Sequence, residues 1–346
     1  MNLGPLNYRR VYEGVNYRLR TFAGGHLAHL CRPASIAILM TERCNARCIH
    51  CDIWKNRGAE QRPSCEEWKK VLRDFRDWLG PVQVVLTGGE ALLNPDTLDL
   101  VAYGSSLGLF IEVLSHGFWQ QQSQIESLAL ARPGRVTISF DAVGPTHNLI
   151  RGRDGFAGLA ETSILTLRRM RREHSLRLRI RLKTTIMQQN LSEVCEVAWF
   201  AKRNDVEVFY QPIEQNYNTA EDPGWFEHSQ TWPTDSAQAV AVVRELCDLK
   251  RQGLPIANSL AQLEVMIPYF SNPRSSRVAV QSHMAHEKQA LCSALTNLQI
   301  QANGDVRPCA ARESIGNIRT AEVRNIWERR PRWWEHGCCL SERVGD

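Results

Sequence analysis

The sequence predicts an α/β fold in which parallel strands form a partial (β/α)6 TIM-like barrel. Short β-branched runs alternate with longer amphipathic stretches from about residue 34 to residue 212. Strands separated by helices at this spacing form βαβ units, and such units form a parallel sheet. Six units are too few to close an eight-stranded barrel, so we expect the barrel to stay open.

The predicted strands and helices follow one another in a regular order. The strands are predicted over 35–41, 82–87, 109–115, 135–141, 176–187 and 206–211. The helices between them are predicted over 64–79, 95–107, 156–172 and 191–203. Each strand is a short apolar run, whereas each helix carries apolar residues at helical spacing. The first of these helices opens with a capping box, Ser64-x-x-Glu67.

The composition is that of an ordinary globular protein. The 346 residues are 43% hydrophobic and 23% charged, and the net charge of +5 comes from 42 basic and 37 acidic side chains. So mild and evenly mixed a charge does not favour nucleic-acid binding. No apolar run approaches the ~18 residues of a membrane span, and the first residues lack the apolar core of a signal peptide. We therefore expect a cytoplasmic protein without a transmembrane segment.

Four regions are expected along the chain. Residues 1–33 mix aromatic and basic side chains, which favours an arm packed on the barrel over an interfacial membrane helix. Residues 34–212 form the barrel, and residues 213–288 form a helical connecting region. Residues 289–346 contain short strands, a Gly–Asp turn and four cysteines, and they are expected to form a small appended domain.

Eleven cysteines indicate metal binding or catalysis, because disulfides do not persist in a reducing cytosol. The first cluster, Cys44-x3-Cys48-x2-Cys51, follows the first predicted strand, at the edge where parallel α/β proteins form active sites. Three thiolates leave one iron of a [4Fe–4S] cubane open, whereas a structural zinc site requires four closed ligands. His50 or Asp52 could complete a zinc site, although neighbours in so tight a loop fold back onto one ion with difficulty.

This spacing resembles the signature of radical S-adenosylmethionine (SAM) enzymes, in which Cys44, Cys48 and Cys51 would hold the catalytic cluster. The resemblance implies that the open iron binds the amino and carboxylate groups of SAM. Reductive cleavage of SAM then yields a 5′-deoxyadenosyl radical, which abstracts a hydrogen atom from the substrate. His50 departs from the family, which often has an aromatic residue there, and this leaves the packing near the adenine open.

Further motifs at the ends of later strands resemble the SAM site of the same family. Gly88, Gly89 and Glu90 end the second strand, where glycines let the backbone approach a ligand and a carboxylate can pair with an ammonium. The resemblance implies that they hold the SAM amino group. It also implies that Ser139 contacts the SAM ribose and that Arg151 contacts the SAM carboxylate, which suits the bidentate guanidinium.

Two other polar residues near these motifs have open roles. His116 stands where the family usually has asparagine, and a solvent-facing loop residue is as consistent with the sequence as a proton shuttle. Asp141 could belong to the family's Ser-x-Asp strand, or its side chain could cap the next turn.

The second cysteine cluster lies in the C-terminal region. Cys292, Gly304 and Cys309 have a spacing similar to the opening of the auxiliary-cluster domains called twitch and SPASM. The Gly–Asp turn predicts a hairpin that brings the flanking thiolates together. Cys338 and Cys339 are the candidates for a further ligand. The resemblance implies one auxiliary [4Fe–4S] cluster, and a closed zinc site is the alternative.

These motifs predict a radical SAM oxidoreductase or isomerase that uses SAM and two iron–sulfur clusters. Because no separate peptide-binding domain is recognisable at either end, we expect oxidation or epimerisation of a small molecule such as a sugar or an aminoglycoside-like compound. A peptide substrate, as in relatives that modify ribosomal peptides, is the alternative, and a zinc-stabilised non-catalytic protein is a third reading. A radical SAM enzyme also requires an electron donor such as flavodoxin or ferredoxin.

Overall fold

One open sheet with helices packed against it organises the described part of the chain. The computed structural model describes residues 5–21, 27–56, 60–216, 219–220, 222, 224–273, 295–309 and 313–332. The strands are β1 (Ser35–Leu39), β2 (Gln83–Thr87), β3 (Phe110–Ser115), β4 (Arg135–Ser139), β5 (Arg179–Ile186), β6 (Glu207–Pro212), β7 (Asn297–Ile300), β8 (Asp305–Arg307) and β9 (Gly316–Asn317). They lie in the order β6-β5-β4-β3-β2-β1-β7-β8-β9.

The helices alternate with the first six strands and continue after them. They are α1 (Pro5–Thr21), α2 (Cys65–Leu79), α3 (Thr97–Ser106), α4 (Gln122–Leu130), α5 (Pro145–Arg151), α6 (Phe156–Glu173), α7 (Val194–Arg203), α8 (Ser236–Arg251), α9 (Leu260–Glu264), α10 (Met266–Ser271) and α11 (Val323–Glu328). The sequence pattern does not predict α4 and α5, because helices this short show too little periodicity. Within the described residues, no helix combines the length and the apolar character needed to cross a membrane.

The first six strands pair in parallel with their sequence neighbours, as the alternating pattern predicts. Directly paired residues share a face, and the buried apolar residues of these strands lie mainly on one face of the sheet. These residues include Ile38, Leu86, Val113, Ile138 and Leu182. Because β6 and β9 are the two ends of the sheet, the barrel is open, and the predicted partial barrel is confirmed.

The C-terminal region continues the same sheet. β7 pairs in parallel with β1, with Leu298 opposite Ile36, and β8 and β9 follow in antiparallel order. Gly304 lies in the turn between β7 and β8 with a φ of +90°, a conformation that L-residues with a side chain seldom adopt. The predicted hairpin is therefore present, and its first strand lies directly against the barrel.

A buried polar network fills the barrel interior near the N-terminal ends of β2, β3 and β4. Glu112 accepts hydrogen bonds from Gln83 Nε2 (2.5 Å), Arg135 Nη2 (2.5 Å) and the Thr137 hydroxyl (2.6 Å). Burial alone would raise the pKa of Glu112, but the Arg135 guanidinium lowers it, so this carboxylate is ionised. These contacts fill the end of the barrel that lies away from the C-terminal edge of the strands, where barrel enzymes bind their substrates.

The N-terminal arm packs on the barrel. The Tyr12 hydroxyl, on α1, donates a hydrogen bond to the Leu79 carbonyl at the end of α2 (2.7 Å). Trp327, on α11, donates through Nε1 to the Cys31 carbonyl (2.9 Å) and is itself buried. The arm therefore contacts both the start of the barrel and the C-terminal region.

Replacement of Ser64 tests the predicted helix cap. The Ser64 hydroxyl accepts a hydrogen bond from Glu67 N–H (3.3 Å), and the Glu67 carboxylate accepts one from Ser64 N–H (2.7 Å). Ser64→Ala should lower the free energy of unfolding by about 1 kcal/mol, because α2 loses its N-cap acceptor. Urea denaturation measures this change. Ser64→Thr keeps the hydroxyl and should stay close to the parent, and an alanine variant of parental stability would contradict the prediction.

Candidate active site

The predicted site residues of the barrel line one cavity at the C-terminal ends of the strands. The cavity has a volume of about 430 Å³, within the ~300–1,000 Å³ range typical of small-molecule sites. The sequence-predicted residues that line it are Cys44, Cys48, Cys51, Gly88, Gly89, Glu90, Ser139 and Arg151. The fold therefore brings together residues that are far apart in the sequence, while their individual roles stay predictions.

Backbone contacts hold the cysteine loop (residues 41–53) against the end of α5. Arg47 N–H donates to the Arg151 carbonyl (3.0 Å). Ile49 N–H donates to the Ile150 carbonyl (3.0 Å). Gly152 follows α5 with a φ of +68°, and a Cβ at this position would lie 2.2 Å from the Arg47 carbonyl oxygen. Only glycine permits so close an approach.

Gly88 and Gly89 form a second close contact with the same loop. Gly89 N–H donates to the Thr41 carbonyl (2.7 Å), and Glu90 N–H donates to the Arg43 carbonyl (2.9 Å). A Cβ at Gly88 would lie 2.3 Å from the Thr41 carbonyl oxygen, and one at Gly89 would lie 2.4 Å from that of Arg43. Both glycines are therefore required for packing the loop, and their predicted contact with SAM stays a prediction.

The buried Glu90 carboxylate is held by three donors of the chain. Oε2 accepts hydrogen bonds from His116 N–H (2.8 Å) and the Ser115 hydroxyl (3.2 Å), and Oε1 accepts one from Leu92 N–H (3.1 Å). Burial nevertheless raises the pKa of Glu90 to about 7. A positively charged ligand group in the cavity would favour the carboxylate form, so the position suits the predicted contact with the SAM amino group.

His116 is buried and does not face solvent. Its Nδ1 accepts a hydrogen bond from Phe118 N–H (2.9 Å), and its Nε2 lies 2.6 Å from Asn45 Oδ1, so Nε2 carries the proton. Burial lowers the pKa of His116 to about 3, so the ring is neutral and its approach to Glu90 is not an ion pair. His116 thus connects the end of β3 to Asn45, the residue after Cys44, and helps to position the cysteine loop.

The cysteine thiols lie in largely apolar surroundings. Cys48 is buried together with Ala46 and Phe156. Cys44 and Cys51 pack against these three residues. Burial raises the pKa of the Cys44 thiol to about 12 and raises that of Cys51 as well, so the thiolate forms require a positive partner. Arg151 supplies one positive charge, because its Nη1 donates to Cys48 Sγ (3.6 Å).

Arg151 is held in turn by Asp141. Its Nη2 lies 2.6 Å from Asp141 Oδ2, and Asp141 Oδ1 accepts a hydrogen bond from Thr185 N–H (3.0 Å). Burial alone would raise the pKa of Asp141, but the Arg151 guanidinium lowers it. Asp141 therefore positions Arg151 instead of capping the next turn. The two terminal nitrogens of Arg151 face Asp141 and Cys48, and its contact with the SAM carboxylate stays a prediction.

The thiols of the loop meet the requirements of an iron–sulfur cubane. Across the described ranges, no three Cys, His, Asp or Glu side chains converge as the ligands of one metal ion. In a cubane each cysteine binds a different iron, so the three thiols must surround a volume and need not meet at one point. Sulfur donors on a short loop that opens into a cavity satisfy this requirement.

The auxiliary-cluster cysteines fall mostly outside the described residues. Cys309, shortly after β8, is half-buried. Cys292, Cys338 and Cys339 lie outside the described residues, so their ligation of a cluster stays a prediction.

The cavity wall also contains polar residues that the sequence motifs do not include. They are Thr87, Ser115, Lys183, Thr185, Gln211, Glu214, Gln215 and Gln299. Along β5, Arg181, Lys183 and Thr185 alternate with residues that are buried on the other face. Residues two apart in a strand share a face. This alternation is therefore the signal in the sequence that could have identified Lys183 and Thr185 as cavity residues.

Comparison with known proteins identifies the domains of the chain. Residues 38–187 match the model of the Radical SAM superfamily, and residues 292–334 match that of SPASM, an iron–sulfur cluster-binding domain. The open parallel barrel and the cysteine loop after its first strand agree with this class. The chain therefore contains a radical SAM domain followed by a SPASM domain. The first implies a [4Fe–4S] cluster and SAM, and the second implies auxiliary iron–sulfur clusters.

Several characterised proteins are similar to this chain. The sporulation killing factor maturation protein SkfB of Bacillus subtilis (strain 168) is 30% identical over 165 residues, which are 48% of this chain and 38% of SkfB. The PqqA peptide cyclase of Rhodopseudomonas palustris is 27% identical over 303 residues, which are 85% of this chain and 71% of the cyclase. The chain thus spans less than half of the length of SkfB.

The fold is that of a solved protein, SuiB of Streptococcus suis. Its crystal structure with S-adenosylmethionine matches with a TM-score of 0.65 at 16% identity and covers 86% of this chain and 66% of SuiB. Its crystal structure with the precursor peptide SuiA also matches with a TM-score of 0.65, at 15% identity, over 93% of this chain and 69% of SuiB. At this identity the match shows the fold alone.

Alanine at Gly152 should disturb the cysteine loop, whereas alanine at Gly155 should not. Both glycines have positive φ angles, +68° and +75°, so each alanine should cost about 1–2 kcal/mol of stability through backbone strain. Only Gly152 faces the Arg47 carbonyl, because nothing lies within 4 Å of a Cβ at Gly155. After anaerobic reconstitution, Gly152→Ala should bind much less iron than Gly155→Ala. Iron analysis measures this, and equal iron contents would contradict the prediction.

Proposed function

We propose that this protein is a radical SAM enzyme that abstracts a hydrogen atom from a peptide. The observation that carries the proposal is that the three cysteines of the loop line the same cavity as Glu90 and Ser139. When bound, a [4Fe–4S] cluster supplies the electron that cleaves SAM to methionine and a 5′-deoxyadenosyl radical. The protein holds and orients the reactants and excludes water from the radical.

The residues of the cavity divide these tasks. Cys44, Cys48 and Cys51 hold the cluster in their buried loop, where Arg151 donates to Cys48 Sγ. Glu90 receives the SAM amino group, and its three hydrogen bonds to the chain keep the carboxylate in place before SAM arrives. The Ser139 hydroxyl, at the end of β4, binds the SAM ribose.

A peptide substrate is supported by the names of the relatives and by the cavity wall. SkfB is a maturation protein of a killing factor, the cyclase is named for the PqqA peptide, and SuiB was crystallised with a precursor peptide. The cavity wall includes Gln211 and Gln299, whose amides can both donate to and accept from a peptide backbone. These points favour a peptide over the sugar or aminoglycoside-like substrate expected from the sequence, which becomes the alternative.

The electron path completes the proposal. Flavodoxin or ferredoxin would reduce the cluster of the barrel. Hydrogen abstraction leaves a substrate radical. On oxidation this radical would lose one electron to the auxiliary cluster of the SPASM domain and one proton to solvent. This step makes the enzyme an oxidoreductase, and a net return of hydrogen to the substrate would make it an epimerase.

Loss of one cysteine of the loop should abolish SAM cleavage. The anaerobically reconstituted parent, given SAM and dithionite, should release 5′-deoxyadenosine, and Cys48→Ala should fall to the level of a protein-free control because the cluster loses a ligand. Liquid chromatography of 5′-deoxyadenosine measures the difference. Cys65→Ala, which changes a cysteine on α2 outside the loop, is the matched control and should retain cleavage. Equal cleavage by Cys48→Ala and the parent would exclude the catalytic assignment.

Anaerobic coexpression with a library of short peptides tests the substrate class. One peptide should lose the mass of two hydrogen atoms on oxidation, or gain one deuterium in heavy water on epimerisation, and Cys48→Ala should prevent either change. Mass spectrometry of the purified peptides measures both. If the peptides stay unmodified while a sugar or aminoglycoside in the same cells is altered, the peptide assignment is wrong and the alternative substrate replaces it.

A further inference from the structure

A second cavity lies at the end of the barrel opposite to the cysteine loop. Its volume is about 400 Å³, and its walls come from the ends of α6 and α7, the first residues of β5 and β6, and the loop after α8. The charged side chains in these walls are Arg171, Arg179, Lys202, Asp205 and Glu207. None of the described residues lines both this cavity and the candidate active site. We name this cavity the β5–β6 groove.

The cations of the β5–β6 groove converge from separate elements. Arg171 lies in the last turn of α6, Arg179 is the first residue of β5, and Lys202 lies in the last turn of α7. The sequence concentrates positive charge here, since residues 168–181 contain seven arginines and one glutamate. Cations near a helix C-terminus interact favourably with the helix dipole, which accounts in part for Arg171 and Lys202. That effect does not apply to Arg179, because it lies on a strand.

The carboxylates of the groove are already paired, whereas two of its cations are not. Asp205 Oδ2 accepts a hydrogen bond from Arg171 Nη2 (2.6 Å), and Glu207 Oε2 accepts one from Arg181 Nη2 (2.7 Å). Arg179 and Lys202 are exposed, and across the described ranges no acidic group lies within ion-pair distance of either. Lys202 Nζ lies 5.3 Å from the centre of the Trp199 ring, a contact that leaves its N–H donors available. The groove therefore favours an anionic ligand.

The arrangement of charges favours an acidic peptide over a nucleic acid. A nucleic-acid backbone carries one negative charge on each phosphate, and Asp205 and Glu207 would repel such a closely spaced row. An acidic side chain carries a single carboxylate on a flexible stem, which can reach Arg179 or Lys202 separately. The planar guanidinium of Arg179 also offers paired donors that match the two oxygens of a carboxylate. The groove therefore suits the aspartate or glutamate side chains of a peptide.

We propose that the β5–β6 groove binds an acidic segment of the peptide substrate, at a distance from the residue that reacts. This inference rests on the proposed function, because that function makes the substrate a peptide. β5 extends from Arg179 in the groove to Thr185 in the cavity of the candidate active site. The steps from Arg179 to Thr185 span ~20 Å at ~3.3 Å per residue. An extended substrate therefore needs at least about six residues between its acidic segment and its reacting residue.

Binding of a fluorescein-labelled hexaglutamate peptide to the anaerobically reconstituted holoenzyme tests the groove. Arg179→Glu and Lys202→Glu should each weaken this binding about fivefold, because each replaces an attractive charge with a repulsive one. Lys70→Glu, which reverses an exposed charge on α2, is the matched control and should bind the peptide as the parent does. Fluorescence anisotropy measures the affinities, which should fall as the ionic strength rises.

A pair of variants at Gly253 gives a second readout that separates the groove from the rest of the basic surface. Gly253 lines the groove with a φ of +84°, and nothing lies within 4 Å of a Cβ at this position. Aspartate and asparagine tolerate positive φ better than most residues, and they are nearly equal in size. Gly253→Asp should weaken binding of hexaglutamate several-fold through like-charge repulsion, whereas Gly253→Asn should not. Equal binding by the two variants would place the peptide elsewhere.

The coexpressed peptide library tests whether the bound segment belongs to the substrate. Modified peptides should carry an acidic stretch at least about six residues from the modified residue, because the groove and the cavity lie ~20 Å apart. Arg179→Glu should lower the modified fraction about fivefold, and Lys70→Glu should not. Modified peptides without an acidic stretch, or equal modification by the two variants, would exclude the groove as a substrate site.

The outcomes separate this proposal from the proposed function. If hexaglutamate does not bind the parent, or binds Arg179→Glu equally well, the groove is excluded even when SAM is cleaved normally. Tighter binding of labelled hexauridylate than of hexaglutamate would assign the groove to nucleic acid and overturn the proposal. If the parent forms no 5′-deoxyadenosine while hexaglutamate shows the expected variant pattern, the groove stands as an acidic-peptide site and the proposed function fails.

Discussion

The backbone packing of the cysteine loop against three glycines is the constraint on which the site depends. Gly88 and Gly89 at the end of β2, and Gly152 after α5, leave no room for a Cβ against the loop carbonyls. Because these contacts join backbone to backbone, they position the thiols without using side chains that a ligand needs. The loop is thereby held between the end of β2 and the end of α5, and its cysteines open into the cavity.

Burial then decides which polar groups position the site and which can serve a ligand. His116 and Asp141 are satisfied by partners within the chain, one as a neutral ring that bonds to Asn45 and the other as the anion that holds Arg151. Such groups stabilise one geometry and have little left to offer a ligand. Lys183 differs, because its ammonium lies in the same cavity without an accepting partner among the described residues. Lys183 is only half-buried, so its ammonium is open to the cavity.

The fold could be predicted well where local pattern decides it. The six parallel strands and the Ser64 cap follow from apolar periodicity and from one capping motif, and the structure has both. The short helix α5 has too few turns to show periodicity, although it carries the contacts that hold the cysteine loop. The pairing of β7 with β1 joins distant parts of the chain, and no local pattern in either segment indicates its partner.

By itself the sequence determined the alternating architecture and the identity of the cysteine, glycine and acidic motifs, because spacing along the chain and residue type are local properties. Only the tertiary structure decided that Arg151 bridges Asp141 and Cys48, that His116 is a buried neutral ring, and that Lys183 retains its donors. The physical reason is that a polar side chain's partners and charge state depend on burial and on distances to residues from other strands. Those quantities exist only once the barrel has brought the strand ends together.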